Sequence, residues 1–323
     1  MRRLVTIALL LVLTACAPVD SSAPDITMAN AGAPKPADAA VVTSPPSSAA
    51  AQTPSCDATA SLRPSGALPA PGAMPAGSTM EKIAARGRLI AGVDQNTYLM
   101  GFRNPSSGAI EGFDVDMARE VAKTIFGDPS KIQFKVLTSD ERIPALEQGL
   151  VDVVVRTFTI NCERAQKVAF SSVYYQAGQR VLASRGSGIT GPESLGGRKV
   201  CATKGSSSLT NVANVPVKPT VVSVPNWTDC LVMLQQGQVD AVSTDDTILA
   251  GLAAQDPYSE MVGPQFTQEP YGMGIPKADE DFVRFVNAML ERMRTDGTWT
   301  TIHQRWLGRL DPNAKPPAAR YRD

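Results

Sequence analysis

From residue 81 onward, apolar positions recur in two alternating rhythms. EKIAARGRLIAGV reads as a short helix ended by Gly87, followed by a strand. FDVDMAREVAKTIFG sets Val115, Met117, Ala118, Val121, Ala122 and Ile125 at helical spacing, opens on acidic residues and closes at Gly127. Asp114 and Asp116 read as charges favoured by the start of that helix rather than as ligand contacts. IQFKVL predicts a strand, RIPALEQG a helix closed by Gly149, and VDVVV a buried strand. Farther on, QRVLASR and KVCATKG are strand-like, and NWTDCLVMLQQG is a helix that Asn226 or Thr228 can cap. PYGMGIPK reads as a crossing segment, and FVRFVNAMLERMRTDGTWTTIHQRWLG as two helices interrupted at Asp296-Gly297. Alternation of this kind predicts an α/β fold with largely parallel sheets.

One internal echo refines the prediction. ALEQGLVDVVV at 145–155 resembles MLQQGQVDAVS at 233–243, each a helix end, a glycine and an Asp-containing strand. Each strand leads into a polar, Thr-rich turn, RTFTINCER after the first and TDDTIL after the second. Two similar units suggest two similar lobes. In open α/β sheets ligands bind beyond the carboxyl ends of the strands. The two turns are therefore candidate halves of one cleft, with Arg156, Thr157, Thr159 and Arg164 placed to receive an anionic group.

Before residue 81 the rhythm is different. Arg2 and Arg3 precede the apolar run LVTIALLLVL, which ends in LTAC at residues 13–16. Residues 1–15 have the layout of a signal peptide. Cys16 directly after Leu-Thr-Ala resembles the bacterial lipobox, which implies cleavage before Cys16 and lipid on its thiol and new amino group. The mature chain is then expected on the extracytoplasmic face of the cell membrane, anchored by lipid rather than spanning the bilayer. The stretch to residue 80 is rich in Ala, Pro, Ser and Thr, so residues 16–80 are expected to form a disordered tether.

Composition narrows the function. Basic and acidic residues balance at 31 each, so no polycationic footprint points to nucleic acid. Four cysteines follow Cys16, an even number that in an exported chain suggests two disulfides with three possible pairings. Cys201–Cys230 is favoured because both fall in one lobe, which leaves Cys56–Cys162. A zinc site is disfavoured, since no Cys-x-x-Cys spacing occurs and His303 is the single histidine. No metal and no cofactor are expected. No GxSxG elbow, HExxH helix or phosphate loop is present, so an enzyme is not expected.

Six segments then carry a family resemblance: GFDVDMAREVA, VDVVVRTFTINCERAQKVAFSSVYY, KVCATKGSSSL, VDAVSTDDTILAG, PYGMGIPK and DGTWTTIHQRWLG. In this order and spacing the chain resembles the extracytoplasmic solute-binding proteins of polar amino-acid ABC transporters, in particular the glutamate/glutamine-binding lipoproteins of actinobacteria. The resemblance implies a two-lobed periplasmic-binding-protein type II fold, its lobes joined by two crossing strands with the cleft between them. It places lobe 1 at 81–175 and 272–310, lobe 2 at 176–271, a tail at 311–323, and hinges near Tyr174–Gly178 and Glu269–Gly272. It implies that the ligand α-carboxylate meets the Arg164 guanidinium, the Thr159 hydroxyl, a main-chain N–H of Thr157 or Thr159, and the Ser207 N–H. The ammonium partner is Asp245, with Asp246 as rival if the register slips, and Asp94 joins the ligand-binding set. Tyr98, Phe102 and Phe158 are candidates for the pocket wall.

Departures from the family's pattern bear on specificity. Arg103, Arg156 and Lys204 are extra cations near the expected cleft, and a second buried carboxylate needs such a partner. Glutamate or aspartate is therefore favoured over glutamine or asparagine. The chain is expected to act as a monomer and to deliver its ligand to an ABC permease. The alternative is a lipoprotein that reports ligand level to a membrane sensor protein.

Overall fold

The computed structural model describes residues 34–44 and 56–323. Cys16 and the signal segment lie outside the described residues. Among the described residues, the first lobe is built on a sheet with spatial order Ile132–Val136, Leu89–Val93, Val153–Val154, Gly274–Ile275, Ala169–Phe170. The first three strands are parallel, as the helix–strand alternation predicts. Gly274–Ile275 runs antiparallel to both of its neighbours, so the sheet is mixed.

Helices Phe113–Phe126, Glu280–Thr295 and Thr298–Leu307 cover one face of this sheet. Val115, Val121 and Ile125 of the first helix meet Val286, Met289 and Leu290 of the second in one buried core. Each such side chain contributes about 1.5–3 kcal/mol by leaving water, so the lobe depends on residues far apart in the sequence. The break between the last two helices falls at Gly297, whose φ of 81° lies in the left-handed region. On the other face, Leu137, Leu146, Phe158, Ile160 and Phe170 form a smaller cluster, which seats Phe158 beneath the cleft.

The second lobe is a mixed sheet with order Ala40–Val41, Thr220–Val224, Lys199–Thr203, Ala241–Asp245, Gln179–Ser184, Ser259–Val262. Its three central strands are parallel. Gln179–Ser184 runs antiparallel to both neighbours. Helix Trp227–Gln235 packs on this sheet through Cys230, Leu231, Met233 and Leu234. Asn226 precedes it, with its backbone N–H and its Nδ2 both donating to Asp229 Oδ2 at 3.1 Å. Tyr175–Ala177 pairs antiparallel with Glu269–Tyr271, and these two strands carry the chain between the lobes.

Where described, the expected tether departs from the disordered reading. Ala40 and Val41 pair antiparallel with Ser223 and Val222, and Val42 N–H donates to Val221 O at 2.9 Å. Ala39 and Val42 pack against the second core, so this segment satisfies an otherwise open sheet edge. Residues 56–80 lie on the first lobe. Leu62 is buried in its core, Ser61 Oγ donates to Phe170 O at 2.7 Å, and Asn287 Nδ2 donates to Ser61 Oγ and to Leu62 O. The C-terminal tail joins them, with Ser61 N–H donating to Arg320 O and Arg322 N–H to Ser61 O. Composition misses these contacts because a few apolar residues suffice when another surface supplies the core. Disulfides join Cys56 to Cys162 and Cys201 to Cys230, with Cα atoms 6.0 and 5.5 Å apart.

Candidate functional site

The parallel strands of the two lobes end facing each other. In the first lobe, strand Val153–Val154 runs out into RTFTINCER, where Thr157 is held at φ 40°. Asn161 caps helix Cys162–Lys167 by accepting from Arg164 N–H at 2.9 Å. That cap turns Arg164 inward, where it is buried. Its Nη1 donates to Thr159 O at 2.7 Å, and its Nη2 crosses to Gly205 O of the second lobe at 3.2 Å.

Arg142, at the start of helix Arg142–Glu147, is buried beside it. Its Nε donates to Ser139 O at 2.8 Å and its Nη1 to Arg156 O and Thr157 O at 3.1 Å each. Its Nη2 reaches the same Gly205 O at 3.2 Å. Both guanidinium carbons lie over the Phe158 ring, at 4.5 Å for Arg142 and 5.2 Å for Arg164. Among the described residues neither guanidinium is ion-paired to a carboxylate within 4.0 Å. Burial, together with the charges of Arg164 and Arg156, drives the proton affinity of Arg142 down, and burial also lowers that of Arg164.

The second lobe supplies the opposing wall. Strand Lys199–Thr203 ends at Gly205, whose φ of 74° brings its backbone against Asp140 of the first lobe. A Cβ on Gly205 would meet Asp140 Cα at 2.6 Å. Ser206 caps the following helix, and Ser207 Oγ points to the meeting of the lobes. Strand Ala241–Asp245 ends in the STDD turn, whose two acids part company. Asp245 accepts from Tyr271 Oη at 2.6 Å and from Ser208 Oγ at 3.4 Å. Asp246 turns away and accepts from Gln265 Nε2 at 2.6 Å. Burial first, and then the charge of Glu269, push the Asp245 carboxyl well above the usual range, against the pull of the Tyr271 bond. An ammonium ion beside it would offset that penalty.

The structure gathers Arg164, Thr159, Ser207 and Asp245 around this junction, while other expected residues are engaged elsewhere. Thr157 N–H donates to Asp114 Oδ2 at 2.7 Å. Asp114 is buried rather than a solvated helix-start charge, and it also accepts from Tyr174 Oη at 2.8 Å. Burial raises its carboxyl to about 7 in spite of those two bonds. Arg156 Nη2 is paired with Asp94 Oδ2 at 2.9 Å, and its other donors go to Leu137 O and Ser139 Oγ. Asp94 also accepts from Gln95 N–H, Asn96 N–H and Thr97 Oγ1, so it is saturated by its own loop.

Lys204 is exposed and pairs with Asp140 at 3.2 Å. Arg103 sits on an exposed hairpin, donating to Gln95 Oε1 and Gly108 O. Tyr98 packs edge-on against Phe102, their ring centroids 4.8 Å apart. Sequence reasoning missed two buried residues at the junction, Arg142 and Glu269. The signals were a charge heading RIPALEQG and another heading the crossing strand EPYGMG.

Known proteins share this architecture. The model of the bacterial extracellular solute-binding proteins, family 3, matches residues 89–309. An ABC transporter glutamine-binding protein of Bacillus subtilis (strain 168) is 41% identical over 230 residues, covering 71% of this chain and 84% of that protein. A glutamate-binding protein of Corynebacterium glutamicum is 32% identical over 221 residues, covering 65% and 75%. Among solved structures, an ancestral arginine-binding protein bound to glutamine has a TM-score of 0.65 at 35% identity, covering 69% of this chain and 99% of that one. Holo ArgBP from T. maritima has a TM-score of 0.63 at 29% identity, covering 70% and 98%.

Proposed function

The chain belongs to the bacterial extracellular solute-binding proteins, family 3, and from that premise we propose that it captures glutamate or aspartate in preference to their amides. It is an amino-acid-binding component of an ABC transporter. The preference rests on one observation: Arg142 and Arg164 are buried side by side, and among the described residues no carboxylate lies within 4.0 Å of either, the charges of Asp245 and Glu269 acting only from farther away. An unpaired buried charge costs several kcal/mol, and a ligand with two carboxylates offsets two of them at once.

In this reading Arg164 takes the α-carboxylate through its planar fork. Arg142 takes the side-chain carboxylate, the role first expected of Arg103, Arg156 or Lys204. Asp245 takes the ammonium. The lobes already touch through Gly205, through the Lys204–Asp140 pair, and where Asn96 Nδ2 donates to Asn226 Oδ1 at 3.1 Å. A ligand held by both lobes therefore favours the closed arrangement over the open one. The protein acts as a monomer, lipid-anchored through Cys16 on the extracytoplasmic face.

Thermal unfolding of the purified protein with glutamate, aspartate, glutamine and asparagine tests the reading. Ligand at a thousandfold over its Kd adds about 4 kcal/mol, a shift on the order of 10 °C for lobes of this size. Larger shifts with the acids support the preference. Larger shifts with the amides refute it, and no shift with any of the four refutes capture of acidic amino acids and their amides.

A further inference from the structure

Glu269 opens the crossing strand Glu269–Tyr271 and is 2% exposed. Its Oε2 accepts from Thr159 Oγ1 of the first lobe and from Ser207 Oγ of the second, at 2.7 Å each. Its Oε1 accepts from Thr267 Oγ1 at 2.7 Å and Asn211 Nδ2 at 2.9 Å. Asn211 is held in turn by Gln179, whose Nε2 donates to Ser208 O and Ser243 Oγ. The carboxylate is thus fixed on both sides.

A hydroxyl has one hydrogen and two lone pairs, and an ionised carboxylate only accepts. Both hydroxyl hydrogens are therefore committed to Glu269, because Ser207 Oγ lies nearer to Oε2 than to Thr159 Oγ1, which is 3.3 Å away. What Thr159 and Ser207 still offer is lone pairs, converging from the two lobes. A ligand carboxylate has only lone pairs of its own and gains nothing there. An ammonium, with three hydrogens and no lone pair, fits. Asp245 accepts from Ser208 Oγ, beside Ser207, and from Tyr271 Oη, on the strand that Glu269 opens, so two carboxylates approach the same junction.

We infer that Glu269 is a specificity-determining residue: by taking the hydroxyl hydrogens of Thr159 and Ser207 it makes both acceptors, and the site then requires an amine on its ligand. Carbon skeletons of the same length that lack the amine, such as glutarate or 2-hydroxyglutarate, are rejected. The Thr159 hydroxyl thereby serves the ammonium rather than the carboxylate. The inference rests on the amino-acid-binding reading above.

The test is titration calorimetry of the full chain and of Glu269→Gln with L-glutamate, glutarate and 2-hydroxyglutarate. The wild type should prefer L-glutamate by about a hundredfold or more. The amide of the variant has an NH2 group that donates, which releases at least one hydroxyl hydrogen. The preference should then fall at least about tenfold, through weaker binding of L-glutamate. Equal weakening of all three ligands would mean that Glu269 serves only lobe closure, and unchanged affinities for all three would mean that it serves neither; both overturn the inference. Should Glu269→Gln unfold, Ser207→Ala removes one of the two acceptors, and the same preference must fall about threefold or more. Absence of binding of any of the four amino acids by the wild type overturns the functional reading, and the role of Glu269 with it.

Discussion

Arg142→Met is the most direct test of the acidic preference. Methionine keeps an unbranched stem and an apolar contact with Phe158 but removes the charge. Arg142 is 3% exposed, so solvent screens it little. Two unit charges about 4 Å apart at an effective dielectric of about 20 attract by about 4 kcal/mol. A neutral amide in the same place makes an ordinary hydrogen bond worth about 1 kcal/mol. The substitution should therefore cost glutamate about 3 kcal/mol more than glutamine, close to a hundredfold in relative Kd.

The variant will also be less stable, since Ser139 O, Arg156 O and Thr157 O each lose a donor at about 1–3 kcal/mol apiece. Urea unfolding without ligand measures that loss separately. Calorimetric titration of both amino acids into the folded variant then isolates the ratio. If glutamate and glutamine weaken by the same factor, Arg142 holds the lobes together and does not read the side chain, and the argument from unpaired guanidiniums fails.

Three further expectations follow from the geometry. Gly205→Ala puts a Cβ against the Asp140 backbone; overpacking of about 1–3 kcal/mol should weaken amino-acid binding about tenfold or more, with scattering profiles showing a wider cleft in the presence of ligand. Asp114 carries a carboxyl raised from 3.8 to about 7, so its contribution to stability is full below about pH 4 and lost as the pH rises through about 7. Asp114→Asn should flatten urea-unfolding stability across that window, by up to about 4 kcal/mol. The disulfides close loops with separations of 106 and 29 residues, so loop entropy predicts stabilisation of ~4.8 and ~3.6 kcal/mol. Selective removal of Cys56–Cys162 should lower the urea midpoint more than that of Cys201–Cys230.

The alternating periods expose the α/β lobes because helix and strand spacing are local properties. Arg164 and Asp245 stand out through their motifs, each placed just past the end of a parallel strand. The fate of a charge is different, since its partner is set by tertiary contact. Arg156 looked free until the fold brought Asp94 to it from 62 residues away, and Lys204 found Asp140 across the cleft. Arg142 heads a helix like any surface residue, and it is the remote carbonyls of Arg156 and Thr157, the Phe158 ring and Gly205 of the second lobe that enclose it. Asp114 looked like a dipole charge, yet two donors from remote segments turn it inward. The short strand at Ala40–Val41 has no periodic run to announce it and exists because an open sheet edge receives it.

The two lobes differ in how they are laid out along the chain. Apart from the strand at Ala40–Val41, the second lobe is continuous from Gln179 to Val262. The first has a core that joins Leu62 and Leu89 to residues as late as Trp299 and Leu307. For a chain that emerges N-terminus first, the second lobe can complete its core before the last helices exist. The first must wait for them with its apolar faces open, and such faces are prone to aggregate. Its long-range contacts also slow its closure. The late, C-terminal helices are thus the step that ends the vulnerable period, and substitutions in them should reduce the yield of folded protein more than their effect on equilibrium stability accounts for.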